Sequence, residues 1–332
     1  MDIFFSIIVP VYNRQDELFE FLDSIAKTSF NEPFEVLVID DGSSVDLSNV
    51  VRPFIDKLNL KYLKKSNSGP GDSRNYGMRQ AMGNYFLIFD SDCIIPEDYL
   101  TTVSKSLKEE YVDCFGGPDD SDPSFSKVQK AIDFVMTAPI TTGGIRGGSE
   151  KVTKFQPRSF NMGLSREAFL ATGGFAKIHP GEDPELVFRL WKLGFKTQLI
   201  PTAKVCHKRR VDLDKFHLQV SKFGATRAIL NKWYPEYAKP TFWLPTLFVV
   251  YTCFSVLISL LSTIPIFLLF VYSLLVLLSA IIKYRSLVVG FLAVKALYIM
   301  MFGYGIHFLE TTIILLFSKK EPQELFPKLF FK

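Results

Sequence analysis

Two short acidic runs, Asp40-Asp41-Gly42-Ser43 and Asp90-Ser91-Asp92, carry the first sign of chemistry in this chain. Two carboxylates one residue apart can present hard oxygen ligands to a divalent cation. Such a cation can bridge a diphosphate and neutralise the charge that collects on it as it leaves. Taken singly, each run is equally well explained as a turn, since Asp, Ser and Gly are turn formers. Their joint occurrence at the ends of apolar runs sets them apart. Tyr12, just past another apolar run, offers a ring face for a nucleobase, and Asp40 or Asp41 can accept a hydrogen bond from a base N–H. Arg74, in Asn67-Ser68-Gly69-Pro70-Gly71-Asp72-Ser73-Arg74-Asn75, can pair with a nucleotide or with Asp40, or serve structure alone. Further on, Gly181-Glu182-Asp183-Pro184 places two carboxyl groups after a glycine-rich approach, and group transfer to a hydroxyl needs one carboxylate base facing it. Asp183 before Pro184 also reads as a plain N-cap with proline at the first helical position.

These residues need a scaffold that gathers them. Residues 4–11 are a continuous apolar run closed by Pro10 and Asn13, followed by Leu18, Phe21, Leu22 and Ile25 at helical spacing. Residues 34–39 and 85–89 are again continuously apolar, and both end in acid. Strand, helix, strand with unbroken apolar strands predicts a mostly parallel sheet covered on both faces, an α/β fold. In such sheets ligands bind at the carboxyl ends of the strands, where the acidic runs fall. Leu186, Leu190 and Leu193 predict a helix ending at Gly194. The stretch 119–155 reads as less regular, and the glycine-dense segment 141–148 as a mobile loop able to close over substrate, or as a plain connection.

Of 332 residues 48% are hydrophobic, high for a soluble chain, and the excess is concentrated after about Phe242. Residues 242–261 and 264–282 each supply roughly the 20 apolar residues of a membrane span and predict a helical hairpin. Residues 286–317 are too long for one upright span and carry Lys295, His307 and Glu310, so a tilted span and an interfacial helix both stay open. Lys283, Arg285, Lys319 and Lys320 favour the cytoplasmic side for the segments they follow, which suits a hairpin with a surface-lying or re-entrant third element. The expected division is a catalytic domain over 1–235 and a membrane region over 236–332. A net charge of +4 without a basic run argues against nucleic acid as a partner. The four cysteines lack CxxC spacing, so neither a zinc site nor a disulfide framework is indicated. The apolar start, without a basic leader, reads as a buried first strand.

In order, VPVYNR, DDGS, NSGPGDSRNYG, DSD, GGF and GEDPELVFRLWKLGF resemble the family 2 glycosyltransferases of the GT-A fold, over roughly residues 5–210. The resemblance implies an inverting, metal-dependent transfer from a nucleotide-sugar donor, a UDP-sugar by default, to a saccharide or lipid-linked acceptor at the cytoplasmic membrane. It implies donor contacts at Pro10, Tyr12, Asn13, Asp40, Asp41, Asn67, Gly69, Arg74, Asp90, Ser91 and Asp92. It implies Mg²⁺ or Mn²⁺ on Asp92 with Asp90 and a further metal or phosphate contact at His207. The catalytic base falls at Asp183, beside Glu182. Ala176 replaces the Asp that usually follows Gly-Gly-Phe, and no Gln-x-x-Arg-Trp follows, which favours a single transfer over polymerisation. Transfer to a polyprenyl phosphate, or a non-catalytic nucleotide-sugar-binding scaffold, are the alternatives.

Overall fold

Strand β1 (Phe5–Val11) is buried along its whole length, and its alternating side chains feed two different cores. Phe5, Ile7, Val9 and Val11 enter one apolar cluster, with Val36, Val38, Leu87 and Phe89. Ile8 points to the opposite face and meets Leu37, Ile39, Phe86 and Ile88. A strand with no polar face therefore marks a sheet with helices on both sides. The computed structural model describes residues 2–120, 125–142, 155–207 and 212–331. They form two compact units, one of Met1–Asp122, Gly148–Lys208 and Phe330–Lys332, the other of Pro123–Gly147 and Arg209–Leu329. The helix Leu213–Trp233 thus groups with the helices after it, not with the sheet.

The first unit is built on a seven-stranded sheet. Its strands are β1, β2 (Phe34–Asp40), β3 (Leu60–Lys64), β4 (Tyr85–Phe89), β6 (Cys114–Gly116), β8 (Asn161–Ser165) and β9 (Thr197–Leu199), in the order β3-β2-β1-β4-β8-β6-β9. All neighbours are parallel except β8, which runs antiparallel to both β4 and β6. The sheet is thus mostly parallel, as expected. A small second sheet, β5-β10-β7, joins β5 (Cys93–Ile94), β7 (Asp119–Asp120) and β10 (Val205–His207). The helix Gln15–Ala26 covers one face of the large sheet through Leu18, Phe21, Leu22 and Ile25, the residues its spacing predicted.

Between β1 and β2 sits one buried acid that belongs to the scaffold. Glu35 is fully enclosed and accepts from the Ser6 hydroxyl at 2.6 Å, Lys61 Nζ at 3.0 Å and the Met82 amide at 2.5 Å. Burial alone would raise its carboxyl, but Ser6, Met82 and Lys61 together hold it below the usual range. A carboxyl depressed in the folded state contributes stability that is present above its unfolded pKa and lost as pH falls through the folded value. The expected result is a loss of thermal stability on acidification below about pH 4.3 that Glu35→Gln blunts, while at pH 7 the same variant loses about 1–3 kcal/mol. Melting curves of both proteins across pH 3–7 check it.

The second unit is helical. The stretch expected to be irregular contains a regular helix, Lys127–Thr137, opened by a capping box between Ser126 and Gln129. The prolines around it hid its apolar stripe, Ala131, Ile132 and Val135. The glycine-rich segment 143–148 lies outside the described residues. Among the described residues, three helices are long and apolar enough to cross a membrane, Pro240–Ile258, Ile264–Tyr284 and Leu287–Phe317. The first two overlap the apolar segments 242–261 and 264–282. The third, ambiguous by length, is one unbroken 31-residue helix. It lies close against the helix Leu213–Trp233. At Gly224 a methyl group would come within 2.3 Å of the Tyr304 carbonyl oxygen, and at Gly303 within 2.8 Å of Val220. Small residues let the two backbones approach this closely. Asp133, nearly fully buried, accepts from the Tyr284 hydroxyl at 2.8 Å with Lys283 at 3.5 Å, which ties the Lys127–Thr137 helix to the end of the hairpin.

Candidate active site

The carboxyl ends of β1, β2 and β4 converge, and the loops leaving them carry the residues singled out from the sequence. Pro10 is buried within β1 opposite Ile39. Tyr12 stands half exposed at the strand end, its relative exposure 50%. Asn13 takes a positive φ of 54° and locks the β1 loop to the β2 loop: its amide donates to Ser43 Oγ at 2.9 Å, and its Oδ1 accepts from the Ser44 amide at 2.9 Å. Asn tolerates this left-handed turn better than most residues.

Asp40 and Asp41 prove to be the fasteners of this region. Asp40 is fully enclosed, accepting from Tyr62 at 2.6 Å and from the Ser43 amide at 2.8 Å. Burial would raise its carboxyl, but Tyr62 and Ser43, with Lys64 beyond, hold it low. Asp41 accepts from the Ser68 amide at 3.0 Å, the Gly69 amide at 2.9 Å and Lys65 Nζ at 2.6 Å. Asn67 donates to the Asp41 carbonyl at 2.9 Å. The Asp41 carboxylate thus shapes the loop 65–69, and both carboxylates are turned toward protein donors. Gly69 adopts φ 93°, and the ring of Phe331 lies where its side chain would be.

Arg74 occupies the buried face of the helix Pro70–Gln80. Its expected partner was a nucleotide or Asp40. Instead, one guanidinium nitrogen donates to Asp90 at 2.5 Å and another to Glu182 at 3.0 Å, with the group lying over the Phe175 ring at 5.2 Å. The correction concerns Asp40, whose carboxylate is taken by Tyr62 and Ser43, whereas Asp90 and Glu182 lie on the two sides of the planar fork. Arg74 therefore links the DSD run to the second acidic pair, 108 residues away along the chain.

That pair opens the helix Glu182–Lys192, whose N-cap is Gly181 at φ 115°. Asp183 is accordingly in the first turn and not the cap its position before Pro184 suggested. Glu182 is enclosed and contacts His179 Nδ1 at 3.1 Å. Burial works against its charge, but His179 and Arg74 hold the carboxyl well below its ordinary value. Asp183 shifts the other way. Burial raises its carboxyl and the neighbouring Glu182 raises it further, against Arg158 at 3.5 Å. Two adjacent carboxyl groups with proton affinities pushed apart form a pair in which one stays ionised and the other can take a proton.

The small sheet builds a third cluster. Pairing of β10 with β5 sets His207 opposite Cys93, and pairing with β7 brings Asp119 alongside. His207 Nε2 lies 3.2 Å from Asp92 and Nδ1 3.8 Å from Asp119, and the ring stacks on Phe160 at 4.6 Å. Burial opposes its charge, yet Asp92 and Asp119 push the imidazole up to about 10. Asp92, Cys93 and His207 have potential ligand atoms within 4.8 Å of one another. Asp92 and Asp119 flank different nitrogens of the ring, so the Asp92 side, with its carboxylate oxygen beside Nε2, is the one that suits a divalent cation. Cys93 belongs to the same cluster, its buried thiol pushed well above its ordinary value by burial and then by Asp92. Ser91 is buried beside Asp92. Asp90, expected to share the cation, engages Arg74 instead.

Asp119, Arg158 and His179 escaped the sequence reading. Asp119 had a signal of the same kind as the others, an apolar run, Cys114-Phe115-Gly116, ending in acid. Arg158 and His179 had none, because each acts through a partner distant in sequence or across a turn.

The sequence profile of Glycosyl transferase family 2 matches residues 6–171, half of the chain, and the chain belongs to this family. A Staphylococcus aureus poly(ribitol-phosphate) β-N-acetylglucosaminyltransferase, TarS, is 38% identical over 112 residues, 33% of this chain and 20% of that protein. A GalNAc(5)-diNAcBac-PP-undecaprenol β-1,3-glucosyltransferase of Campylobacter jejuni is 34% identical over 114 residues, 33% of this chain and 37% of its own. The matched segment thus spans about a fifth to two fifths of these relatives. Among solved structures, the mannosyltransferase PcManGT of Pyrobaculum calidifontis, in complex with GDP-Man and Mn²⁺, aligns over 95% of this chain and 88% of its own with a TM-score of 0.65 at 17% identity, a likeness of fold. The fold is therefore the GT-A type that the motifs implied.

Proposed function

We propose that this protein transfers a single sugar from a nucleotide-sugar donor, with inversion, to a saccharide acceptor carried on a lipid. The observation that carries the reading is the Arg74 bridge, which ties Asp90 of the donor-side run to Glu182 of the acceptor-side pair. One guanidinium thus sets the distance between the place of the leaving group and the place of the base. Tyr12 offers the base a ring face, and the loop 65–69, shaped by Asp41, lines the nucleotide. Asp92 and His207 would hold Mg²⁺ or Mn²⁺, which supplies positive charge for the departing diphosphate. Asp183, its proton affinity raised by burial and by Glu182, takes the proton of the attacking hydroxyl. Glu182 stays ionised against Arg74 and His179 and keeps Asp183 oriented and basic.

The name of the Campylobacter relative, which describes an undecaprenol-linked acceptor, supports a lipid-linked substrate. So do the three apolar helices. The arrangement we favour is two crossings by the hairpin, with Leu287–Phe317 lying along the membrane face. The third helix packs against Leu213–Trp233, which carries Lys215, Lys222, Arg227 and Lys232, and charges of that density belong outside hydrocarbon. Lys283 and Arg285 after the hairpin favour the cytoplasmic side for that face.

Purified full-length protein in detergent, screened against nucleotide sugars for release of nucleoside diphosphate, tests the reading. A β-linked product from an α-linked donor, read from the anomeric proton coupling, supports it; retained configuration overturns the single displacement.

A further inference from the structure

The chain re-enters the sheet unit as a short extended segment. Phe330 makes an antiparallel bridge with Ile178, and the Phe331 amide donates to the Lys177 carbonyl at 3.0 Å. These main-chain contacts bring the Phe331 ring onto Gly69, where a built methyl group would fall 2.3 Å from the ring carbons. His179 lies 5.6 Å away between ring centroids, tilted by 49°, and in turn touches Glu182 at 3.1 Å. A half-buried aromatic ring thus neighbours both Gly69 of the loop 65–69 and the His179–Glu182 contact.

We infer that Phe331 forms the apolar wall of the acceptor subsite, the surface on which an acceptor pyranose lays its C–H face. The inference rests on the sugar-transfer reading above. A pyranose ring has one face of C–H bonds and a rim of hydroxyls, so it needs an apolar plane beside polar groups, and few other ligands fit both. The plane here is fixed by backbone hydrogen bonds and does not wait for substrate, as expected of a preformed site. Its neighbours assign it to the acceptor: the ring adjoins the His179–Glu182 contact, while the carboxylate suited to the diphosphate's cation lies at Asp92 and the exposed ring suited to the base is Tyr12. Gly69 then has a second reason to lack a side chain, for a methyl group there would displace the wall.

The test uses the full chain in detergent with Mn²⁺ and UDP or GDP, and methyl β-glucopyranoside, methyl β-galactopyranoside and methyl β-N-acetylglucosaminide as probes, with binding followed by ligand-observed NMR. At least one probe binds the native protein. Phe331→Leu, which keeps bulk over Gly69 but removes the ring, weakens that binding about tenfold, while Phe331→Tyr stays within about twofold. Nucleotide affinity in the Leu variant shifts by less than about twofold. Equal probe binding by the Leu variant overturns the inference, as does a native protein that binds no probe. A fall in nucleotide affinity instead places the ring on the donor side, and tighter probe binding marks it as a plug; both overturn it. A native protein that binds the probes but releases no nucleoside diphosphate from any nucleotide sugar removes the sugar-transfer reading and leaves the pyranose wall standing.

Discussion

Asp183→Asn is expected to lower turnover by about 10²–10⁴-fold, the usual share of a general base, while leaving donor affinity nearly unchanged. The same substitution is expected not to lower stability at neutral pH. The sign follows from the site. Burial, then Glu182, raises the Asp183 carboxyl in the folded state against the pull of Arg158. A group whose folded pKa is raised favours folding below its unfolded value, and that contribution is lost as pH rises through the folded value. At pH 7 the buried carboxylate is therefore a burden that Asn removes. The variant should melt at or above the native temperature at pH 7, and its advantage should vanish below about pH 3.9. Such a trade of stability for activity is usual at a base held in a poor environment for its charge. In native enzyme the acid limb of the pH–rate profile should lie above the ordinary aspartate range, since Asp183 must lose its proton to act. Steady-state kinetics and thermal melts of the two proteins across pH 4–8 check both parts. Near-normal turnover would remove Asp183 from the role and favour an acceptor that is already an anion, such as a polyprenyl phosphate.

Arg74→Met is expected to give the largest loss of stability of any single change at the site. The guanidinium is 3% exposed and Glu182 5% exposed at the side chain. Met fills much of the same volume and can still lie on Phe175, but leaves Glu182 buried without the guanidinium, with His179 as its remaining partner. Breaking a buried pair from one side costs about 3–5 kcal/mol, a fall of roughly 10 °C or more in melting temperature. Glu182→Gln in the same chain removes the stranded charge and should recover part of that loss, a coupling that separates lost charge pairing from lost packing. Arg74→Lys, with one ammonium in place of a planar fork, cannot serve Asp90 and Glu182 together and should lose turnover even where it folds. Thermal melts of the two single variants and the double variant give the comparison.

The fold was legible in the sequence wherever one physical signal dominated. Residues 5–11, 34–40 and 85–89 are mostly apolar, interrupted by Ser6, Glu35 and the terminal Asp40, because both faces of a parallel sheet are covered, and each is a strand. The strand Leu60–Lys64 was not, since it is only partly buried at the sheet edge and alternates with lysines. The helix Lys127–Thr137 was obscured by flanking prolines, although Ser126 and Gln129 spell a capping box at the right spacing. In the site, residue types were readable and partnerships were not. Arg74 stood out in the sequence, but its link to Asp90 and Glu182, 16 and 108 residues away, is encoded by no local pattern. Asp40 and Asp41 stood out as ligands for a base, and the fold directs their carboxylates to Tyr62, Ser43, Ser68, Gly69 and Lys65. Asp119 joins His207 only because β10 pairs in parallel with β7.

The central claim, that Asp92 and His207 serve a cation needed for departure of the nucleoside diphosphate, has a direct test. Release of nucleoside diphosphate from the nucleotide sugar that the screen identifies is followed before and after EDTA, then on return of Mn²⁺ or Mg²⁺. The account predicts activity abolished by chelation, restored by the metal, and not restored in His207→Ala or Asp92→Asn at the same metal concentration. Undiminished release in EDTA, or full restoration in both variants, would contradict it.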